Sequence, residues 1–282
     1  MLLTLVAALG VAAPAAPAGA AGDRSVAALQ VGLQARGVYH GSIDGVAGPA
    51  TEAGIRALQR RSGLAVDGVA GPATRRALGA LGRGTLGSRM LRTGSVGWDV
   101  AELQFALAWH GFPSGPFDGR FGPHTKGALR RFQGWAGLRR DGVAGTGTIH
   151  ALGGPIPSST VTIAAPLPTA PDGGFGPRGN RFHTGLDYPV PAGTPVAAPA
   201  DGTVTYAGWL DGGWGNVVTI AVGEGVRTML AHLSQVDVGV GQRVEQGAIV
   251  GLVGATGRTT GPHLHLEVRL RGAAVDPLSA LG

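Results

Sequence analysis

The chain of 282 residues contains no cysteine, which excludes disulfides and thiolate metal sites. Any metal must therefore be held by His, Asp or Glu. Aromatic residues are few, at 5%, and charged residues sparse, at 14%. A nucleic-acid binder would interleave aromatics with basic side chains on one face, whereas these few aromatics fall mostly at turns and core positions. No nucleic-acid partner is expected. A long apolar run is also missing. The opening "MLLTLVAALGVAAPAAPAGAAGDRS" is apolar only from Leu2 to about Val11, and Pro14 and Pro17 interrupt it. That falls short of the ~20 residues a membrane-spanning helix needs. With Ala18-x-Ala20 as a small-residue cleavage site, residues 1–21 read as a secretory signal peptide, although the usual positive charge ahead of the apolar run is absent. The expectation is an exported chain with no membrane span once processed.

Glycine and proline are abundant instead, at 52 and 19. The glycines recur at patterned positions beside apolar runs, which points to compact, turn-rich domains rather than disorder. The formal charge is +6 and arginine far outnumbers lysine, a balance that favours an anionic partner without choosing one.

An internal repeat organises the first half. The stretch from Val26, "VAALQVGLQARGVYHGSIDGVAGPATEAGIRALQRRSGLAVDGVAGPATRRAL", aligns without a gap on the stretch from Val100, "VAELQFALAWHGFPSGPFDGRFGPHTKGALRRFQGWAGLRRDGVAGTGTIHAL", with about two dozen of about fifty positions identical. Each copy opens with apolar residues at helical spacing: Val26, Leu29 and Leu33, then Val100, Leu103 and Leu107. Ser25 and Asp99 suit the N-cap, and Gly37 and Gly111 the C-terminal stop. Asp44-Gly45 and Asp118-Gly119 mark turns, with Pro49 and Pro123 opening a second helix. A further Asp-Gly turn, at Asp67 and Asp141, leads to a short third helix. Each copy is thus a small three-helix module.

These residues resemble the peptidoglycan-binding domain of many wall hydrolases. The carriers are the turns "DGVAGPAT" (from Asp44 and Asp67) and "DGRFGPHT" (from Asp118), and the pairs Leu58-Gln59 and Phe132-Gln133. The last turn, "DGVAGTGT" from Asp141, lacks the proline, which is expected to loosen that helix start. The resemblance implies peptidoglycan as partner and names no ligand-contacting residue. The modules are expected at 22–81 and 98–153, with glycine-rich linkers at 82–97 and 154–173. Within the second linker, "TVTIA" suits a first strand of the following domain equally well.

From residue 174 to 282 short β-rich runs alternate with glycine, and helical periodicity is nearly absent. The expected architecture is multidomain α + β: two three-helix modules, then an antiparallel β-sheet domain. Histidines gather here. His183 stands four residues before Asp187 in "NRFHTGLDYPVPAGTPV", His232 lies in "TMLAHLS", and His263 and His265 lie in "TGPHLHLEVRL". On a strand, His263, His265 and Glu267 share one face and Leu264, Leu266 and Val268 the other; Leu230 and His232 share a face by the same rule. Two neighbouring imidazoles in an apolar strand are costly to bury unless something pairs with them. His with Asp is a ligand set that suits Zn²⁺, and a catalytic zinc takes three protein ligands and keeps one position open. His183, Asp187 and one histidine of the H-x-H strand fill such a set, and spacing leaves open which one. Glu267 reads equally as a partner orienting His265 and as an ordinary strand glutamate.

The region from Phe175 to Leu281 resembles the lysostaphin-like (LytM-type) zinc endopeptidases that cut peptidoglycan peptides, a peptidase family of the M23 type. The matching pieces are "FGPR", "HTGLDYPVPAGTPVAAPADGTV", "GNVVTI", "AHLS", "GQRVEQGAIVGLVGATGRTTGPHLHLEVR" and "VDP". The resemblance implies one zinc per chain on His183, Asp187 and His265, with His232 and His263 as catalytic neighbours. One position departs from the pattern: Leu230 stands where the family has tyrosine, which puts substrate positioning in question. The reading is a secreted, wall-associated zinc endopeptidase whose reactive site lies wholly in the last domain. Its rival is a non-catalytic wall-binding protein or an activator of other hydrolases.

Overall fold

The computed structural model describes residues 22–282; the signal peptide expected at 1–21 lies outside them. Six α-helices come first: α1 (Arg24–Ala35), α2 (Pro49–Arg61), α3 (Pro72–Ala77), α4 (Trp98–Trp109), α5 (Pro123–Trp135) and α6 (Thr146–Ala151). Twelve short strands follow: β1 (Gly176–Arg178), β2 (Arg181–His183), β3 (Leu186–Tyr188), β4 (Pro195–Ala197), β5 (Gly202–Leu210), β6 (Gly215–Gly223), β7 (Val226–Leu233), β8 (Gln235–Val236), β9 (Arg243–Val244), β10 (Ile249–Leu252), β11 (Leu264–Leu270) and β12 (Ala273–Val275).

One hydrogen-bonded unit, used four times, explains the repeated Asp-Gly turns. The buried amide of Gln30 donates to Asp44 Oδ1 (2.7 Å), the Val46 carbonyl (3.1 Å) and Thr51 Oγ1 (3.2 Å), while its oxygen accepts from Gly45 N (2.9 Å). Gln59, Gln104 and Gln133 do the same for the turns at Asp67, Asp118 and Asp141. Each glutamine satisfies both ends of its amide inside the core, as burial of a polar group demands. The Asp141 turn keeps every one of these bonds without its proline. Helix α6 has six residues, as does α3, so the turn and its helix form without the proline.

The caps differ from the sequence expectation. Asp23, not Ser25, caps α1, its carboxylate accepting from Ser25 N (2.6 Å) and Val26 N (3.2 Å). Helix α4 starts at Trp98 with Gly97 as its cap, because the Arg89 guanidinium claims the Asp99 carboxylate at 2.6 Å.

The two modules share a core. Ala27, Leu33, Ile55 and Leu58 of the first pack in one cluster with Trp98, Ala101, Phe105 and Phe117 of the second. Helix α4 is consequently buried at every position from Trp98 to Ala108, the pattern of a helix enclosed on all sides. The stretch between the modules also packs. Leu91 is fully buried and its backbone pairs with Ala144 in both directions (3.1 and 2.8 Å). In the stretch after them, Ile163 and Leu167 enter the core of the β domain, and Ile163 bridges Leu281.

In that domain the main antiparallel sheet runs β12-β11-β7-β6-β5-β9, with β3 also paired to β11, and a smaller sheet runs β4-β10-β8. Leu186, Val218, Leu230, Leu264, Leu266 and Val268 fill the apolar core on one face of the main sheet. The β1-β2 hairpin projects toward the helical modules. Ile43 N–H donates to the Gly179 carbonyl (2.8 Å), Phe117 N–H to the Asn180 carbonyl (2.7 Å) and Ala274 N–H to the Gly111 carbonyl (3.1 Å). Trp109 meets Phe175 and Phe182 edge to face.

Candidate metal centre

Strand pairing assembles the site. His265 stands opposite Asp187 on β3 and opposite Ala231 on β7. Its ring and Glu267 therefore emerge on the face away from Leu264, Leu266 and Val268, all fully buried in the apolar core. Strand β2 ends on His183, which turns back toward the same point. His183 Nε2, Asp187 Oδ1 and His265 Nδ1 form a triangle with edges of 3.1, 3.1 and 2.9 Å.

The protonation of each ring follows from its partners. His183 Nδ1 lies 2.8 Å from Gly174 O, which only accepts, and 3.0 Å from Arg178 Nη2, which only donates; the shorter contact to the carbonyl places the hydrogen on Nδ1 and leaves a lone pair on Nε2. Glu267, fully buried, takes the Nε2 hydrogen of His265 at 3.3 Å, leaving a lone pair on Nδ1. Two lone pairs and a carboxylate oxygen then face one another with no hydrogen between them. Such a set calls for a cation. Tetrahedral zinc, with bonds near 2.0–2.1 Å, would place its donors about 3.3 Å apart, so the triangle fits with a small expansion. No other group of three His, Asp or Glu donors with metal-ligating geometry occurs among the described residues.

The local electrostatics agree. Burial opposes the charge of Asp187 most strongly, but contacts with His183, His265 and Arg178 outweigh it and hold the carboxyl below the usual range. Burial likewise opposes a positive His265, and the carboxylates of Asp187 and Glu267 overcome it and raise that ring's pKa. Positive charge at this point is thus favoured by the two carboxylates, as a metal site requires. Glu267 stays ionised, at about 2, because Arg269 and His265 offset its burial. Arg269 Nε lies 2.6 Å from Glu267 Oε2, and the Thr184 hydroxyl donates to Oε1.

His232 and His263 stand beside the triangle. Their rings are 4.7 Å apart, and that of His232 is 5.9 Å from that of His265. His263 Nε2 lies 3.8 Å from Asp187 Oδ1. His232 Nδ1 bonds the Thr256 carbonyl (2.9 Å) and His263 Nδ1 the Gly261 carbonyl (3.0 Å), so both leave Nε2 free to accept a proton. Burial, chiefly, lowers the His232 pKa to about 4, and the ring is neutral at pH 7.

Leu230 requires a correction. Strand alternation put it on the same face as His232, but His232 has φ of 65°. That left-handed residue turns its ring onto the metal side. Leu230 stays in the apolar core opposite Leu266 and Val218, so its departure from the family's tyrosine does not touch the cleft.

The cleft around the donors has a volume of about 710 Å³. All three donors and both neighbouring histidines come from the β domain. The cleft does not: Gly111, Phe112, Pro113, Gly115 and Arg131 of the second module line it as well. Sequence reasoning named neither that wall nor Arg178, whose Nη1 bonds Asp187 Oδ2 at 2.8 Å. The position of Arg178 in "FGPR", just ahead of the histidine loop, was the available signal.

Fold and site together define a chain with a His-Asp-His metal centre on an antiparallel sheet, preceded by paired helical modules. The model of peptidase family M23 matches residues 181–277, and that of the peptidoglycan binding domain matches residues 23–78 and 97–152. The chain carries a peptidase family M23 domain and, ahead of it, two peptidoglycan binding domains. The DD-carboxypeptidase/endopeptidase Mpg of Neisseria meningitidis is 52% identical over 99 residues, 35% of this chain and 23% of that protein. The peptidoglycan DD-endopeptidase ShyA of Vibrio cholerae is 42% identical over 104 residues, 35% of this chain and 23% of its own length. The chain thus spans under a quarter of these curated relatives. Among solved structures, the catalytic domain of lysostaphin from Staphylococcus simulans matches at 32% identity, covering 43% of this chain and 90% of that one, with a TM-score of 0.34.

Proposed function

We propose that this protein is an exported zinc endopeptidase that hydrolyses peptide bonds of bacterial cell-wall peptidoglycan, held at the wall by its two helical modules. The observation that carries the reading is the convergence of three lone-pair donors, His183 Nε2, Asp187 Oδ1 and His265 Nδ1, with two proton-accepting imidazoles on one cleft. The activities of the relatives Mpg and ShyA support the reaction class. The peptidoglycan binding domain match supports wall targeting, and the signal-like opening supports export.

In this reading His183, Asp187 and His265 would hold one zinc, which when bound would supply Lewis acidity for a peptide carbonyl and a water of pKa about 7. His232, neutral and fixed by Thr256, takes a proton from the attacking water at its free Nε2. His263, its ring 4.7 Å from that of His232, presents the same proton-accepting Nε2, and the proton that one of the two rings takes from the water is the one passed to the leaving amine. Glu267 keeps the lone pair of His265 turned toward Asp187.

Zinc content measured beside turnover tests the assignment. His265→Ala should lose metal and activity together. His263→Ala and His232→Ala should keep one zinc per chain while turnover falls by about 10²–10⁴-fold. Zinc retained by His265→Ala, or full hydrolysis in excess chelator with metal absent by elemental analysis, overturns it.

A further inference from the structure

Five guanidinium groups line the cleft: Arg131, Arg178, Arg181, Arg258 and Arg269. Asp187 is the single acidic side chain among the lining residues, and the proposed metal claims its Oδ1. Arg178 is engaged by Asp187 and Arg269 by Glu267. Arg131, Arg181 and Arg258 make no side-chain hydrogen bond or ion pair among the described residues. A concave surface with this surplus attracts an anionic group and holds it best where two guanidiniums converge.

Arg131 is the informative member, because it comes from helix α5 of the second module. In the alignment of the repeats its counterpart is Ala57, so the module fold does not need an arginine there. The arginine occurs in the copy that abuts the cleft. Arg131 and Arg269 of β11 line the same cleft from the two sides of the domain boundary. Arg131 is solvent-accessible at the cleft mouth, and the like charge of Arg269 acts on it there, so an anion at that point meets both cations. The domain contacts at Gly111–Ala274, Phe117–Asn180 and Ile43–Gly179 fix this wall against the β domain.

We propose that the second module forms one wall of the substrate cleft, and that Arg131 and Arg269 together make a subsite for a carboxylate of the bound peptide. The inference rests on the peptidase reading above. A carboxylate fits because the subsite lies within the cleft that leads to the metal donors, where a peptide brings its own acidic groups. The planar guanidinium fork matches a carboxylate's two oxygens.

The test measures binding by fluorescence anisotropy, with the full chain in chelator so that no hydrolysis intervenes. The probes are dye-labelled Ala-Glu-Gly-Gly-Ala amide and its glutamine counterpart, which lacks the carboxylate. The wild-type chain should bind the glutamate peptide about tenfold more tightly, as a charge-assisted hydrogen bond contributes on that order. Arg131→Ala should lose most of that preference with an unchanged melting temperature. Arg130→Ala, on the neighbouring position of α5 that does not line the cleft, should keep it. Equal or unmeasurable binding of the two peptides by the wild-type chain, or a preference undiminished in Arg131→Ala, overturns the subsite. So does Arg131-dependent binding of poly(glycerol phosphate) that exceeds binding of the glutamate peptide, which assigns the cleft to an anionic polymer. Hydrolysis assayed separately with added zinc keeps the two readings apart. A chain that shows the Arg131-dependent preference but cleaves no peptide retains the subsite and sinks the peptidase reading. Cleavage without any preference does the reverse.

Discussion

Replacing Gly111 by alanine separates the cost of its backbone conformation from the cost of the domain contact it makes. Gly111 has φ of 85°, and an added Cβ would lie 2.3 Å from the Ala274 oxygen and 2.5 Å from its nitrogen. Gly37 occupies the aligned position of the first module with φ of 65°, and a Cβ there meets nothing within 4 Å. Both substitutions therefore bear the left-handed penalty of an L-residue, about 1 kcal/mol. Only Gly111→Ala also forces β12 away from the module. That separation breaks the Ala274 N–H to Gly111 bond of 3.1 Å and uncovers Ala273, fully buried in the second module's core. A lost hydrogen bond contributes about 1 kcal/mol and a partly uncovered apolar contact a similar amount. The expected costs are about 1 kcal/mol for Gly37→Ala and about 3 kcal/mol for Gly111→Ala. For a chain of this size these correspond to melting shifts of roughly 3 and 9 °C. Scanning calorimetry reads both, and small-angle scattering should show a larger radius for Gly111→Ala alone. Equal shifts with unchanged scattering would refute the argument that the second module is docked on the β domain in solution.

Two further outcomes follow from the site. Glu267→Gln should weaken zinc affinity about 10–100-fold, because an amide cannot accept from both His265 Nε2 and Arg269 Nε as the carboxylate does; competition with a chromophoric chelator measures it, and an unchanged affinity refutes the orienting role. Leu230→Tyr should cost about 1–3 kcal/mol by overpacking a fully buried core position. It should bring no gain in turnover, since His232 projects from the other face; a faster enzyme with unchanged stability contradicts that geometry.

What the sequence determined by itself was local or periodic. The matched Gln, Asp-Gly and Thr positions recur at one fixed offset in both modules, and they are the residues that close the four turns. The alternation around His265 announced which side chains leave the apolar face of β11, because a strand's period of two is a backbone property. Spacing alone did not choose between His263 and His265. The structure favours His265 through Glu267, which sequence reasoning left undecided between an orienting partner and an ordinary strand residue. Other features rest on contacts between residues remote in the chain. The left-handed conformation of His232 cancels strand alternation at that residue and sends Leu230 into the core. Sharing of one core by α1 and α4 made two apparently separate modules a single body. The placing of Arg131 and Arg269 on one cleft brought that body to the metal donors. Each of these depends on which surfaces meet after folding, and no spacing along the chain encodes that meeting.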